Sequence, residues 1–173
     1  FSMVPMNLLI PDGKADHIVT GSFAKLAFQD AQRVGQINLA GSTEPEGFVR
    51  VPTQGELQLD PEADYLHITT NNTIFGTEWQ TEPIAGQVPL VADASSNIFS
   101  KPIDVAKYGL IYAGAQKNLG AAGVTLVIIR DDLLERSPHD LPAMLNYSTH
   151  AKGASAYNTP PVFAVYILGL VIK

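Results

Sequence analysis

The chain is 173 residues long, 46% hydrophobic and 16% charged, which predicts one globular domain with a sizeable core and excludes a disordered tail. Eleven Lys and Arg stand against 17 Asp and Glu, a formal charge of −6 that argues against a reader of nucleic-acid phosphates. There is no cysteine, so disulfide frameworks, thiolate zinc sites and cysteine nucleophiles are excluded.

In chain order, residues 1–10 are apolar but are interrupted by Pro5, and they lack the basic region and cleavage site of a secretory signal. Short runs rich in Val, Ile and Leu occupy 17–20, 36–40, 65–70, 88–93, 109–113 and 124–130. Gly, Asp and Ser separate them, the pattern of strands buried in a parallel sheet. Between the first two, Phe23, Leu26, Ala27, Ala31 and Val34 recur at helical spacing, predicting a helix over 23–34. Residues 41–64 are rich in Gly, Pro, Glu and Gln and read as a long connection with one weak strand. Trp79, with Glu78 and Glu82, is expected in a surface-facing loop, and 102–108 is expected to make a helical turn. Thr159 before Pro160 predicts a helix start, because a hydroxyl can cap and proline is tolerated in the first turn. The helix that follows is apolar throughout, too short for a bilayer, and is expected to lie in the core. Alternating units of this kind predict an α/β fold, a mainly parallel sheet flanked by helices, in a single domain. The chain lacks an initiator Met and stops inside an apolar run without a Gly or Asn cap, so it is expected to be a piece truncated at both ends.

In open α/β sheets ligands bind at the carboxyl ends of strands, which singles out the residues just after each predicted strand. These are Phe23; Asn71, Asn72 and Thr73; Asp93, Ser95 and Ser96; and Gln116 and Lys117. Lys117 lies in a small-residue turn, 113–120, whose spacing does not fit a phosphate-binding loop. It is either a solvated lysine or an amine that forms a Schiff base with an aldehyde. Asp93 either closes a turn with Ser95 and Ser96 or holds the ring nitrogen of pyridoxal phosphate in its protonated form. Phe23 either belongs to the core of its helix or offers a face for a ring to stack on.

Residues 91–125, supported by 1–9, 65–74 and 157–161, resemble the phosphoserine aminotransferase family, class V of the fold-type I pyridoxal-phosphate enzymes. The resemblance runs the whole length of the chain and implies a pyridoxal-phosphate-dependent transaminase. Lys117 is then the Schiff-base lysine and proton shuttle, Asp93 the partner of the pyridine nitrogen, and Thr73 the hydroxyl on the ring 3′ oxygen. Gln116 matches a ligand of the cofactor phosphate. Asn158 and Thr159 match a pair that reaches the phosphate from the neighbouring subunit, which implies a homodimer with shared sites. The implied substrates are phosphoserine and 2-oxoglutarate or glutamate, in cytoplasmic serine and vitamin B6 (pyridoxine) synthesis, with no nucleic-acid or membrane partner. Two positions depart from the family: Phe23 stands where Trp is common in a Gly-x-Trp-Ala context, and Asn72 stands where Asn-Glu-Thr is frequent.

The family's chain is longer, so the sequence is expected to be part of the large cofactor-binding domain, with the small C-terminal domain absent. The isolated piece is expected to be inactive, because the residues that grip substrate have no counterparts. Arg33, Arg50, Arg130 and Arg136 are expected to be surface or structural, and His17, His67, His139 and His150 structural or solvated. Two rival readings remain: another class V enzyme, or a non-catalytic α/β module that binds a phosphorylated small molecule.

Overall fold

The computed structural model describes all residues, 1–173. Six strands make one sheet: β1 (Lys14–Val19), β2 (Gln36–Ser42), β3 (Leu66–Thr69), β6 (Leu90–Asp93), β7 (Leu110–Gly114) and β8 (Thr125–Ile129). Between β3 and β6 a hairpin of β4 (Asn71–Asn72) and β5 (Thr77–Glu78) stands apart from the sheet. The strand order is β2-β1-β3-β6-β7-β8, parallel except for β8, which runs antiparallel to β7. That reversal has a local cause. Only residues 115–124 join β7 to β8, and a parallel crossover needs a dozen residues or more, usually with a helix.

All six expected strands form, with shifted ends. The helix over 23–34 is α2 (Ser22–Gln32), which buries Ala24, Ala27 and Ala31 and joins β1 to β2. A short helix not expected from sequence, α1 (Met3–Leu8), carries Pro5 in its opening turn, where no intrahelical N–H is needed. Two further short helices, α3 (Asp131–Leu134) and α4 (Tyr147–Lys152), follow β8, and Asn146 caps α4 by accepting from the N–H groups of Ser148 and Thr149. The turn expected at 102–108 is a single 3₁₀ turn, Val105–Lys107.

Three expectations fail. The weak strand in 41–64 does not form; the connection makes 3₁₀ turns at Glu44–Glu46 and Gln54–Glu56, fastened by Arg50, which donates to Glu46 and Glu56 at 2.6–2.7 Å. Trp79 is not in a surface loop. Its backbone N–H donates to Thr70 O, folding it back onto the sheet, where it is only 8% exposed. The last helix, α5 (Val162–Val171), begins after the second of two prolines, and Thr159 does not cap it. A residue before proline is pushed out of the helical region, so Pro160 and Pro161 together move the start downstream. Nor is α5 a core helix: only Ala164 is buried, and Phe163 is 71% exposed. No helix is long and apolar enough to cross a membrane.

Strand alternation divides the core between the two faces of the sheet. One face packs Ile18, Leu66, Ile68, Leu90, Ala92, Ile111 and Ala113 under Trp79, Ile98, Tyr108 and Leu119. The other packs Ala15, Val91, Leu110 and Tyr112 with Val4 and Leu8 of α1, Leu133 and Tyr147.

Candidate active site

From β1 the chain crosses to β2 on one side and then returns to β3 on the other. The β1–β3 pair is therefore a topological switch point, where a crevice opens at the carboxyl ends of the strands. Each segment flagged from sequence just after a strand lies on this rim.

Three segments meet around one amine. The Lys117 ammonium donates to Thr73 Oγ1 at 2.6 Å and lies 4.7 Å from the centre of the Phe23 ring. Phe23 enters from the first turn of α2, Thr73 from the β4–β5 hairpin and Lys117 from the turn after β7. The hairpin is pinned in place by Asn72, whose amide donates to Thr20 Oγ1 at 2.9 Å and Thr77 Oγ1 at 3.1 Å. Gly21 permits this approach, because a Cβ there would lie 2.4 Å from Asn72 Oδ1. The departure from the family pattern at Asn72 thus has a local role: a buried amide that ties the end of β1 to the hairpin.

Asp93 ends β6 and is 4% exposed. Its Oδ1 accepts from the Ser95 N–H at 3.0 Å and the Ser95 hydroxyl at 2.6 Å, while no protein donor reaches Oδ2. Both sequence readings of Asp93 are compatible with this geometry, since one oxygen closes the turn and the other is left open. Ser95 Oγ also accepts from the Gly114 N–H at 3.0 Å, which ties the end of β6 to the strand from which the lysine turn departs. Gln116 is exposed and its amide folds over Gly114, where a Cβ would lie 2.6 Å from Gln116 Oε1. Ser96 donates to Asn71 O at 2.8 Å, closing the rim between β3 and β6.

Asn158 and Thr159 do not join this group. Both are exposed on the segment before α5 and make no hydrogen bond within the chain.

Sequence reasoning missed a buried row behind the rim. His17 and His67, register partners on β1 and β3, stack with ring centres 4.6 Å apart and planes 14° from parallel. His67 Nε2 lies 2.9 Å from the Tyr112 hydroxyl and His17 Nε2 lies 3.4 Å from the Tyr65 hydroxyl. Burial, with a smaller contribution from the terminal amine, lowers the His67 pKa to about 3. Burial and then the neighbouring His67 lower that of His17 well below its ordinary value. Tyr112 is pushed well up, by burial first and then by the charge of Asp93. Each histidine stood in a predicted strand, but only the pairing of β1 with β3 puts them side by side.

Comparison with known proteins places these features in a family. The class V aminotransferase family profile matches residues 1–173. The phosphoserine aminotransferase of Herpetosiphon aurantiacus is 54% identical over 172 residues, 99% of this chain and 48% of the relative. The structure of phosphoserine aminotransferase from Bacillus circulans subsp. alkalophilus superposes with a TM-score of 0.96 at 46% identity, covering 99% of this chain and 48% of that one. A pyridoxal-phosphate-bound phosphoserine aminotransferase from Trichomonas vaginalis gives a TM-score of 0.90 at 36% identity, covering 99% and 49%. The chain spans about half the length of the relatives it matches.

Proposed function

This chain belongs to the class V aminotransferase family, and from that premise we propose that it forms the cofactor-binding part of a phosphoserine aminotransferase. The reaction is amino transfer between phosphoserine and 2-oxoglutarate, in serine synthesis and in pyridoxine synthesis, in the cytoplasm. The observation that carries this reading is the meeting of Lys117 Nζ with Thr73 Oγ1 at 2.6 Å and the Phe23 ring at 4.7 Å, on the rim where Asp93 ends its strand.

Support for a fit to pyridoxal phosphate comes from the donor set: an amine, a flat aromatic face, a hydroxyl and a buried carboxylate with one oxygen open. When bound, the cofactor supplies an aldehyde carbon that exchanges amines and a ring that draws electrons from the substrate's α carbon. Lys117 would hold the cofactor through its aldehyde, and its amine would serve as the acid and base that moves a proton at the substrate's α carbon. Asp93 holds the ring nitrogen protonated by placing a carboxylate beside it. Thr73 holds the ring's 3′ oxygen, Phe23 stacks on the ring face and Gln116 binds the phosphate. Asn158 and Thr159, exposed and without hydrogen bonds in their own chain, would reach the phosphate of a neighbouring subunit in a homodimer.

Incubation with pyridoxal phosphate, borohydride reduction and peptide mapping tests the reading. The label is expected on Lys117 and absent from Lys117→Ala; label on other lysines with Lys117 unmodified would overturn it.

A further inference from the structure

The row behind the rim is not used by the chemistry just described. An interior ring nitrogen without a partner destabilises a fold, and here both His17 Nδ1 and His67 Nδ1 are buried and unpaired. Buried polar groups of this kind call for an explanation in function or strain.

The register supplies one. Asp93 on β6 and Tyr112 on β7 are partners across neighbouring parallel strands and share a face. His67 on β3 is the partner of Val91, two residues before Asp93 on the same face. With β6 between β3 and β7, the Tyr112 side chain must cross β6 beside Asp93 for its hydroxyl to lie 2.9 Å from His67 Nε2. The Phe1 ring meets Tyr112 edge-on, with ring centres 6.2 Å apart. Asp93 is therefore held at Oδ1 by Ser95, and its register partner on the same face is Tyr112, whose phenol His67 fixes from two strands away.

We propose that Tyr112 and His67 are positioning residues for Asp93: His67 anchors the phenol, and the phenol orients the carboxylate so that Oδ2 meets the cofactor's ring nitrogen. The inference rests on the rim being a pyridoxal-phosphate site. His67 is suited to the task because burial keeps it neutral, so it brings no second cation to compete for the carboxylate.

The test compares dissociation constants of the 173-residue chain for pyridoxal phosphate and for its carbocyclic analogue, in which a carbon replaces the ring nitrogen. The proteins are the parent, Tyr112→Phe, His67→Phe and Asp93→Asn. Tyr112→Phe keeps the ring and its packing, so it carries the test even if His67→Phe fails to fold. The parent is expected to prefer pyridoxal phosphate, and Asp93→Asn to lose that preference. Tyr112→Phe and His67→Phe are expected to narrow the preference roughly three- to tenfold while leaving affinity for the analogue unchanged. Equal losses for both ligands, or an unchanged preference, would make the row merely structural and overturn the inference. A parent that shows no Lys117 label, or an Asp93→Asn that keeps the preference, would instead overturn the reading of the rim and the inference with it.

Discussion

The two faces of the sheet are cut from the same strands, yet they bury different chemistry. On β3 and β6 the alternate residues Leu66, Ile68, Leu90 and Ala92 point to a face of aliphatic side chains. The residues between them, His67, Thr69, Val91 and Asp93, point to the other face, as do His17 and Tyr112. Three of the buried polar atoms without a partner lie there: His17 Nδ1, His67 Nδ1 and Thr69 Oγ1. A pleated strand commits one residue in two to each side, so it can combine a stabilising surface with one that bears polar groups at a cost. Apolar packing on both faces offsets the destabilisation of the buried polar row, and the face that carries that row ends at Asp93 and the rim.

Truncation on the aliphatic face should break the fold most. Ile68, which is 0% exposed, should lose about 2–5 kcal/mol of stability on replacement by Ala, through lost transfer energy and an unfilled cavity. His17→Leu on the opposite face should cost less than half as much at neutral pH, because it removes an unpaired nitrogen while freeing the Tyr65 hydroxyl. Urea unfolding of the two variants measures the contrast; equal losses would erase the distinction between the faces.

Acid should act through the polar face. Both histidines have depressed pKa values in the fold, His67 near 3 against an ordinary 6.5. The unfolded chain therefore binds more protons in this window, so stability is present above pH 6.5 and is lost as pH falls toward about 3. The slope should approach about 1.4 kcal/mol per pH unit for each histidine. His17→Leu should flatten it between pH 6.5 and 5, where carboxylates contribute little. Glu56 adds its own loss only at lower pH, since its hydrogen bonds to Arg50 and Thr53 hold it near 2. A parent whose unfolding midpoint is constant from pH 7 to 5 would contradict the buried neutral pair.

Changes at the rim should cost less than the loss of Ile68. Gly21→Ala drives a Cβ into Asn72 Oδ1 and should cost about 1–3 kcal/mol. It should also loosen the hairpin that presents Thr73, seen as slower trapping of the Lys117 adduct. Thr159→Ala should change the stability of an isolated chain by less than about 0.5 kcal/mol, since its hydroxyl caps nothing. A larger loss in thermal unfolding would restore the cap that the structure lacks.

Much of the fold was legible from local pattern. Short Val-, Ile- and Leu-rich runs marked all six strands, and helical spacing from Phe23 marked α2, because burial on both sides of a parallel sheet leaves that composition. The errors fall where non-local contacts override local pattern. Trp79 looked like a surface residue until its backbone N–H paired with Thr70 O. The apolar run after Pro161 reads as core by composition, but only one side of α5 meets the chain, with Ile167 and Ala164 close to the loop glycines Gly120 and Gly123. Lys117, Phe23, Thr73 and Asp93 were singled out because ligand sites follow strand ends, and the fold brings the first three together on the rim where Asp93 ends its strand. Asn72 was read as a departure from a pattern, and its part in pinning the hairpin appeared only with Thr20 and Gly21 beside it.

The sequence by itself determined the six strands of the main sheet, α2, the absence of cysteine and which residues follow each strand, since each follows from composition or from spacing along one strand or turn. Only the tertiary structure decided which strands are neighbours. Placing β1 beside β3 stacks His17 on His67, and placing β6 between β3 and β7 sets Asp93 beside Tyr112. The physical reason is that hydrogen-bond register joins residues separated by dozens of positions, and no local periodicity encodes that choice.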